Sequence, residues 1–385
     1  MSNLKIIDFI KKNKDWEKII SEKPFCIKIS RSNAFVNEKG KSVAKNLIMF
    51  KYDQIDSDFK EEIVRECRGL ILDENTLEAV CIPFFKFGNY GESYVPDIDW
   101  NTARVTEKLD GSLIKIVRLG NDLLISTNGK IDAFYAKIQN QIACDAKSYG
   151  DLVLNAINRK MNLSEFMKII VPGITYMFEL TSPFNRVVVQ WKDTELHFIG
   201  ARDNVTLQEF FFDDNRFSNI YDIFKHPKIF NLRTLDECVS ASKKLGLNDE
   251  GYVVVDKNFN RVKIKSPTYV SLHHMRDNGN MSYERGIEIV RNNEIAEVVS
   301  YFPEFKEHLE KIKCDYDDLI SSLEDSWNEF LKNDFNSRKE SAIFIQKNFK
   351  VPSVGFCLLD KKISSIKEWV DSLPAEKICG FLKYN

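Results

Sequence analysis

Hydrophobic patterning changes near residue 275 of this 385-residue chain. Between residues 26 and 270, short apolar runs rich in β-branched and aromatic residues are separated by turn residues, a pattern typical of β-strands. Beyond residue 275 such runs become sparse, and apolar positions recur at the spacing of an α-helix. We therefore predict an α+β fold, with an antiparallel-sheet domain over residues 1–274 and a mostly helical domain over residues 275–385.

The composition excludes several classes of protein. A formal net charge of −2 is not that of a polycation, so a surface for nucleic acid would have to be a local basic groove. The eight cysteines include no Cys-x-x-Cys pair and the histidines have no zinc-ligand spacing, which predicts reduced thiols and no structural zinc. No apolar run approaches the roughly 18 residues that cross a bilayer, so we predict a cytoplasmic protein without a membrane segment.

Local patterns divide the first domain into elements. Residues 1–22 have the pattern of a short amphipathic helix, and residues 130–170 keep an apolar stripe at helical spacing. Two pairs of apolar runs around turn residues predict hairpins, one turning at 120–122 and one at 257–260. Further strands are predicted in YMFEL and ELHFIG, which follow the helical stretch.

The second predicted hairpin presents charged side chains on one face. Lys263 and Lys265 are two residues apart in a strand, so both side chains point to the same side, about 6.5 Å apart. In a regular hairpin Asp256 pairs with Arg261, and Glu250 then lies diagonal to Lys265 on that face. This register predicts a surface with one carboxylate and two lysines, which suits a metal-bound polyphosphate.

Lys108 stands before a tight turn at Asp110-Gly111, which leads into an apolar strand. A lysine amine is a nucleophile only when deprotonated, and nearby positive charge or desolvation lowers the pKa of such a group. A phosphorus electrophile suits this amine if other cations hold its phosphates. Candidate cations and carboxylates follow in order along the chain: Arg68, Lys86, Glu179, Glu250, Lys263 and Lys265.

This ordered set resembles the covalent nucleotidyltransferases, the superfamily of ATP-dependent ligases and capping enzymes. The segment KLDG matches their K-x-D-G nucleophile motif, and FEL, EGYV and KIK match later motifs in the same order. Within the superfamily the chain is most similar to the phage-type RNA ligase 1 family. That similarity rests on ECRG, KLDGS, the FEL-x-x-P-x-N-R-V-V run, EGYV, and KIKS followed by YVSLH, over residues 65 to 275.

The resemblance implies a nucleotidyltransferase (adenylyltransferase) domain and a three-step reaction. Lys108 would attack the α-phosphate of ATP, forming lysyl-AMP and releasing pyrophosphate. The AMP would pass to an RNA 5′-phosphate, and an RNA 3′-hydroxyl would then displace it. Such chemistry depends mainly on positioning and electrostatic stabilisation, which accounts for the number of cations.

The resemblance also implies roles for the other residues. Arg68 and Lys86 would hold the triphosphate. Glu179 would contact either the ribose or a metal, and Glu250 would serve Mg²⁺, with Mn²⁺ as a substitute. Charge on the α-phosphate would be stabilised by Lys263 and Lys265. Asp110 and Gly111 would make the turn that directs Lys108, since glycine permits close approach of the backbone.

The chain departs from the family pattern after the nucleophile. Relatives can have a basic residue just before the glycine of the following strand, where this chain has Asn128. Lys130, two residues later, is a candidate replacement. The aromatic surroundings of Lys86 are matched only loosely.

Each residue taken alone also has a structural explanation. Arg68 could pair with Glu66, and Lys86 could be a solvated loop lysine. The segments EGYV and KIK could form an edge strand with outward charges. Asn185 and Arg186 could anchor a turn rather than contact a substrate. It is the order of the whole set that favours function.

The sequence therefore predicts an ATP-dependent RNA ligase with Mg²⁺. Its partners would be RNA with 5′-phosphate and 3′-hydroxyl ends, with nicked tRNA as a candidate, and the helical domain would be an RNA-specificity module. No kinase or phosphatase motif is visible, so a separate enzyme would heal the ends, in the host cytoplasm if the chain is viral. Two alternatives remain: a DNA ligase or capping guanylyltransferase, and an inactive RNA-binding scaffold on a ligase fold.

Overall fold

The computed structural model describes residues 4–138, 146–185, 188–246, 248–274 and 281–384. The chain divides into two compact units, Met1–Tyr269 and Val270–Asn385. The first contains the strands and the second is helical, so the α+β prediction is confirmed. In the described parts of the chain, no helix combines the length and apolar character needed to cross a membrane.

Unit 1 is built mainly from strands, with short helices between them. Its described strands are β1 (Ile27–Val36), β2 (Ser42–Tyr52), β3 (Arg68–Asp73), β4 (Ala79–Cys81), β5 (Gly88–Asn89), β6 (Arg104–Lys108), β7 (Ser112–Leu119), β8 (Asp122–Thr127), β9 (Ile174–Thr181), β10 (Glu195–Asp203), β11 (Glu209–Phe210), β12 (Ile229–Phe230), β13 (Gly251–Val255) and β14 (Arg261–Lys265). Its helices are α1 (Lys5–Lys12), α2 (Trp16–Ser21), α3 (Glu62–Glu66), α4 (Tyr149–Asn158), α5 (Leu163–Ile169), α6 (Ser218–Tyr221) and α7 (Leu235–Ser242), with 3₁₀ turns at Ala133–Tyr135 and Asn215–Phe217.

The strands form three sheets. Their orders are β1-β2-β3-β4, β11-β10-β9-β7-β8 and β12-β6-β13-β14-β5. Neighbouring strands are antiparallel except β14 and β5, which are parallel. The sheet that contains β9 packs against α4 and α5 through residues such as Ile116, Phe166 and Phe178, all fully buried. This core fixes the positions of β7 and β9, which present polar residues on their other face.

Local sequence explains several element boundaries. Helix α4 begins with a capping box, in which the Ser148 hydroxyl accepts from the Asp151 amide and the Asp151 carboxylate accepts from the Ser148 amide. The predicted hairpin near residue 120 is confirmed, with Leu119 paired to Asp122 and Gly120 at a φ of 63°. The predicted N-terminal helix is two helices, α1 and α2. The helical stretch predicted at 130–170 contains α4 and α5, and part of it lies outside the described residues.

The register predicted for the β13–β14 hairpin is wrong by one residue. Val255, not Asp256, pairs with Arg261, and Gly251 lies opposite Lys265. The loop is longer because Asp256 belongs to it: its carboxylate accepts hydrogen bonds from the backbone amides of Asn258 and Asn260, at 2.8 and 3.0 Å. A local side-chain interaction therefore replaces the pairing that a regular hairpin would make.

Unit 2 is a set of helices around its own core. After α8 (Pro267–His274), which covers the boundary between the units, the described helices are α9 (Tyr283–Arg291), α10 (Ile295–Tyr301), α11 (Lys306–Leu331), α12 (Arg338–Asn348), α13 (Pro352–Leu359), α14 (Ile366–Ser372) and α15 (Ala375–Leu382), with a 3₁₀ turn at Pro303–Phe305. The long helix α11 buries Ile312, Leu319 and Leu323 against the others. The predicted boundary after residue 274 falls at residues outside the described ones.

Candidate active site

Three neighbouring strands bring the nucleophile candidate and the lysine pair to one face. Lys108 ends β6 and lies opposite Gly251 of β13, which in turn lies opposite Lys265 of β14. Two residues along, Thr106, Val253 and Lys263 form the next row of the same face.

The backbone conformation at residue 251 requires glycine. Its φ is 149°, and a Cβ there would clash with the carbonyl oxygen of Ile264 on the neighbouring strand. The glycine of EGYV therefore lets β13 lie in register between the strands of Lys108 and Lys265.

Lys108 is held by an ion pair. Its Nζ lies 2.6 Å from Oε1 of Glu250, a residue that is only 5% exposed. Burial raises the pKa of the Glu250 carboxyl, and the nearby Lys108 and Lys265 oppose that rise. The second carboxylate oxygen, Oε2, is buried and has no hydrogen-bond partner among the described residues. A buried carboxylate oxygen without a partner is costly, so this atom is suited to bind a ligand.

Glu179 faces Lys108 from another sheet. It lies on β9, paired with Leu113 of β7, and lines the same cavity as Lys108. Desolvation raises the pKa of Glu179 to about 7, Lys108 lowers it, and Glu250 raises it further. Two carboxylates on either side of one lysine thus create local negative charge within a cationic site.

Besides Lys108, the cations that line this cavity are Arg68, Arg104, Arg261 and Lys263, of which Arg68 and Lys263 were predicted. The Arg68 guanidinium, at the start of β3, lies 5.1 Å from the centroid of the Phe87 ring, and its buried Nη1 has no hydrogen-bond partner among the described residues. Lys263 Nζ lies 5.1 Å from the same centroid. Desolvation and the nearby Lys86, Lys108, Lys265 and Arg68 hold the pKa of Lys263 well below its usual range. Such repulsion between cations would be relieved by a bound polyanion.

The structural alternative for Arg68 is wrong. Glu66 accepts hydrogen bonds from the backbone amides of Lys5 and Ile6, at 2.9 and 3.0 Å. Its carboxylate therefore binds the N-terminus of α1, where free amide groups favour an anion.

Lys86 and Lys265 lie outside the lining of this cavity. Lys86 is 8% exposed, and its Nζ lies 4.7 Å from the centroid of Phe59 and 5.5 Å from that of Tyr52. It lines a second cavity instead. Lys265 Nζ is 5.7 Å from the Tyr269 ring, at the edge of the site near Glu250.

Asp110 connects three segments. One of its oxygens accepts from the amides of Val188 and Val189, at 2.9 and 2.6 Å, and the other accepts from the Tyr269 hydroxyl at 3.0 Å. Its backbone carbonyl accepts from the indole nitrogen of Trp191 at 2.7 Å. The turn residue of KLDG therefore also fixes the segment after β9 and the first turn of α8.

The backbone carbonyl of Leu180 lies close to both Gly111 and Asn185. A Cβ at Gly111 would clash with the carbonyl oxygen of Leu180, which agrees with the predicted close approach. The Asn185 amide donates to that carbonyl at 2.8 Å and to the Ser112 hydroxyl at 3.2 Å, so it anchors a turn. Arg186 lies outside the described residues.

At the position after β8, where relatives can have a basic residue, this chain has Asn128. Asn128 lines the main cavity, and its carboxamide oxygen has no partner among the described residues, whereas Lys130 is exposed outside that lining. The prediction missed Lys115, which is fully buried and donates to the carbonyl of Gly69, beside the backbone of Asn128. The signal was a lysine in the middle of an apolar run, LIKIV.

The main cavity, which Lys108 lines, has a volume of about 290 Å³ and a lining that mixes apolar and charged side chains. Its lining includes the apolar side chains of Phe84, Leu113, Ile199, Phe210, Val253 and Val255, which suit a planar base. The same lining includes Arg68, Lys108, Glu179 and Lys263, which suit a phosphate chain. In the described residues no group of three His, Cys, Asp or Glu side chains is arranged to hold a metal.

Comparison with known proteins gives the family. Residues 66–269, more than half of the chain, match the family model described as "RNA ligase". A protein of Autographa californica nuclear polyhedrosis virus, named as a bifunctional polynucleotide kinase/RNA ligase, is 29% identical over 278 residues; these cover 68% of this chain but 38% of that protein. The RNA ligase of Rhodothermus phage RM378 is 25% identical over 343 residues, covering 74% of this chain and 77% of that one.

Solved structures include an archaeal ATP-dependent RNA ligase with a TM-score of 0.45. It is 14% identical, over 90% of this chain and 89% of the archaeal chain.

Proposed function

The chain belongs to the RNA ligase family, and from this premise we propose that it is an ATP-dependent RNA ligase that joins 5′-phosphate to 3′-hydroxyl ends. The observation that supports this most directly is the position of Lys108, paired with Glu250 and lining a cavity with Arg68 and Lys263. Unit 1 would be the nucleotidyltransferase domain.

In the first step Lys108 attacks the α-phosphate of ATP, its Nζ–P bond forms, and pyrophosphate leaves. Glu250 orients the amine through its 2.6 Å contact. Arg68 and Lys263 are fixed on the Phe87 ring before ATP arrives, so they stabilise the charge on the phosphates without reorganising. The apolar side chains of the lining hold the base.

In the second step an oxygen of an RNA 5′-phosphate attacks the lysyl-AMP phosphorus and releases Lys108. In the third step an RNA 3′-hydroxyl attacks the 5′-phosphate, and AMP leaves. Lys263 and Lys265 lie on the face of Lys108 and stabilise the charge of the α-phosphate in each step. Lys86, which lines the neighbouring cavity, is proposed to hold the outer phosphates of ATP.

Glu179 and Glu250 are the residues that would hold Mg²⁺ or Mn²⁺. The fit rests on the buried Oε2 of Glu250, which lacks a partner among the described residues, and on the nearby carboxylate of Glu179, whose pKa the charge of Glu250 raises. Mg²⁺ is commonly held by one or two carboxylates together with substrate phosphates. When bound, the ion would neutralise part of the negative charge of the phosphates. Glu179 remains an alternative contact for the ribose.

The partners we propose are RNA ends, with a nicked tRNA as the candidate substrate and a repair role. Unit 2 would help to select the RNA. The baculovirus relative is named for both kinase and ligase activities, which supports an end-healing kinase as a functional partner of this chain. The described chain continues after KIK as helix α8 and further helices, which favours an RNA ligase over a barrel-containing DNA ligase or capping enzyme.

Incubation with α-labelled ATP and magnesium, followed by a denaturing gel, tests the proposal. The wild type is expected to become labelled, to lose the label on addition of pyrophosphate, and to prefer ATP over GTP. Lys108→Ala is expected to remain unlabelled because, among the described residues that line the cavity, Lys108 alone is paired with Glu250. Lys168→Ala, a change of an exposed lysine on α5 outside the cavity, is the matched control and should label normally.

Labelling by GTP alone would favour a guanylyltransferase. A folded but unlabelled wild type would favour the scaffold alternative.

A further inference from the structure

A second cavity of about 620 Å³ opens beside the active site. Five cationic side chains but only one carboxylate line it: Lys60, Arg65, Lys86, Arg202 and Arg261, with Glu209. A chain with a net charge of −2 must concentrate positive charge locally to bind nucleic acid, and this cavity is such a concentration.

The positive charge of this cavity exceeds what its carboxylate can balance. Glu209, 4% exposed, accepts hydrogen bonds from both Arg202 and Arg261, so one anion serves two buried cations. Nε and Nη1 of Arg202 have no hydrogen-bond partner among the described residues, and its guanidinium lies 4.1 Å from the Phe85 ring. Among the described residues, Arg65 donates only to the backbone carbonyls of Phe59 and Lys60, which do not neutralise its charge.

The rest of the lining suits a single nucleic-acid strand. The lining also includes the aromatic rings of Phe85, Tyr94 and Phe259 and the amide groups of Asn258 and Asn260. Proteins that bind single strands combine a cationic groove with rings on which bases stack. A site for a small inorganic anion would not need these aromatic surfaces.

The second cavity lies next to the active one but away from the nucleophile. Phe87 and Arg261 line both cavities. Arg261 pairs with Val255, four residues along the hairpin from the row of Gly251 and Lys265, about 13 Å away. Lys86, whose charge lowers the pKa of Lys263, is the part of this lining proposed above for the outer phosphates of ATP. The end at Arg261 lies farther along the hairpin from Lys108, which favours a second molecule as its occupant.

We propose that the second cavity binds phosphate groups of the RNA substrate and guides one RNA end toward the active site. This inference rests on the proposed function for the identity of the strand. The cations of Arg65, Arg202 and Arg261 contact the phosphates, and the aromatic residues stack on the bases. The alternative ligand with the same phosphate chemistry is the outer part of the ATP triphosphate.

The test reverses charge at the entrance without changing the buried arginines. Lys60→Glu combined with Asn258→Asp alters two exposed side chains of the lining. Lys244→Glu alters an exposed lysine that lines neither cavity and is the matched control. Binding of a short 5′-phosphorylated single-stranded RNA is measured by fluorescence anisotropy without ATP, over a range of salt concentrations. Lysyl-AMP formation is measured separately without RNA.

The double variant is expected to bind RNA about tenfold more weakly at low salt. The slope of log Kd against log salt should also become shallower, by about 0.7 for each lost phosphate contact. Its KM for ATP in lysyl-AMP formation should be unchanged, and Lys244→Glu should behave as the wild type. Thermal unfolding checks that both variants are folded.

A raised KM for ATP with unchanged RNA binding would assign the cavity to the nucleotide and overturn the RNA assignment. Unchanged RNA binding and unchanged KM together would overturn the anion site itself. If the wild type forms no lysyl-AMP, the proposed function fails, but the RNA-binding measurement still decides the role of the cavity.

Discussion

At the scale of single residues, burial decides which cations are structural and which face a substrate. Lys263 and Arg68 share the Phe87 ring and line the main cavity. Lys115, in contrast, is fully buried and donates to the carbonyl of Gly69. It therefore connects the start of β3, next to Arg68, with the end of β8, next to Asn128. Two residues that line the cavity are thus positioned by a lysine that has no access to it.

Lys115 gives a prediction about pH. Desolvation lowers the pKa of its ammonium in the folded protein to about 8, from 10.5. Between pH 8 and 10.5 the unfolded chain binds a proton that the folded chain does not, so the free energy of unfolding rises with pH through this window. Lys115→Met removes that titration. Chemical denaturation across the window should show the stability of the wild type rising relative to the variant.

If the free energies of unfolding of the wild type and of Lys115→Met change with pH in parallel, the lowered pKa of Lys115 is contradicted. Lys168→Met, a change of an exposed lysine on α5, controls for the loss of a charge and should leave the profile unchanged.

At the scale of elements, the β13–β14 hairpin determines the geometry of the lysine pair. Its register depends on Asp256, which joins the loop, and on Gly251, whose conformation excludes a side chain. Since neighbouring residues of a strand point to opposite faces, a shift of one residue would remove Lys263 and Lys265 from the face of Lys108.

Gly251→Ala is expected to lower the free energy of unfolding by about 1–3 kcal/mol, because of the strained φ and the clash with the Ile264 carbonyl. Lysyl-AMP formation should fall with it, since the hairpin contains both lysines. Gly246→Ala is the matched control, because a Cβ there meets only a side-chain oxygen of Asp249 at 3.6 Å. Denaturant titration of both variants measures the difference; equal stability would show that β13 tolerates the side chain.

At the scale of the whole molecule, the two units have separate cores and separate compositions of secondary structure. The proposed nucleotide site lies entirely within unit 1. Unit 2 consists of helices in its described part, and its proposed contribution is to RNA selection rather than to lysyl-AMP chemistry.

Removal of residues 275–385 should therefore spare lysyl-AMP formation but abolish the preference for nicked tRNA over a generic nicked strand. The two activities are measured on the same truncated protein, after circular dichroism has checked its fold. Equal loss of ligation on every RNA would argue against a role of unit 2 in selection.

The sequence by itself determined the class of fold and the order of the reactive residues. Alternating apolar runs before residue 275 and helical spacing after it depend on local chain geometry, so the α+β organisation was visible without the structure. The predicted change of chain direction at Asp110-Gly111 is likewise local and is seen as a bend at Gly111 between β6 and β7. The motif order from Arg68 to Lys265 was enough to suggest one site.

Only the tertiary structure decided which of these side chains meet. Arg68, Lys108, Glu179 and Lys263 come from different strands and share one cavity, whereas Lys86 lines another. Convergence of this kind depends on pairing between distant strands, and long-range pairing leaves no periodic signal in the sequence. The register of β13 and β14 was missed because a side-chain hydrogen bond within a loop shifted it by one residue, and one residue is enough to turn a strand over.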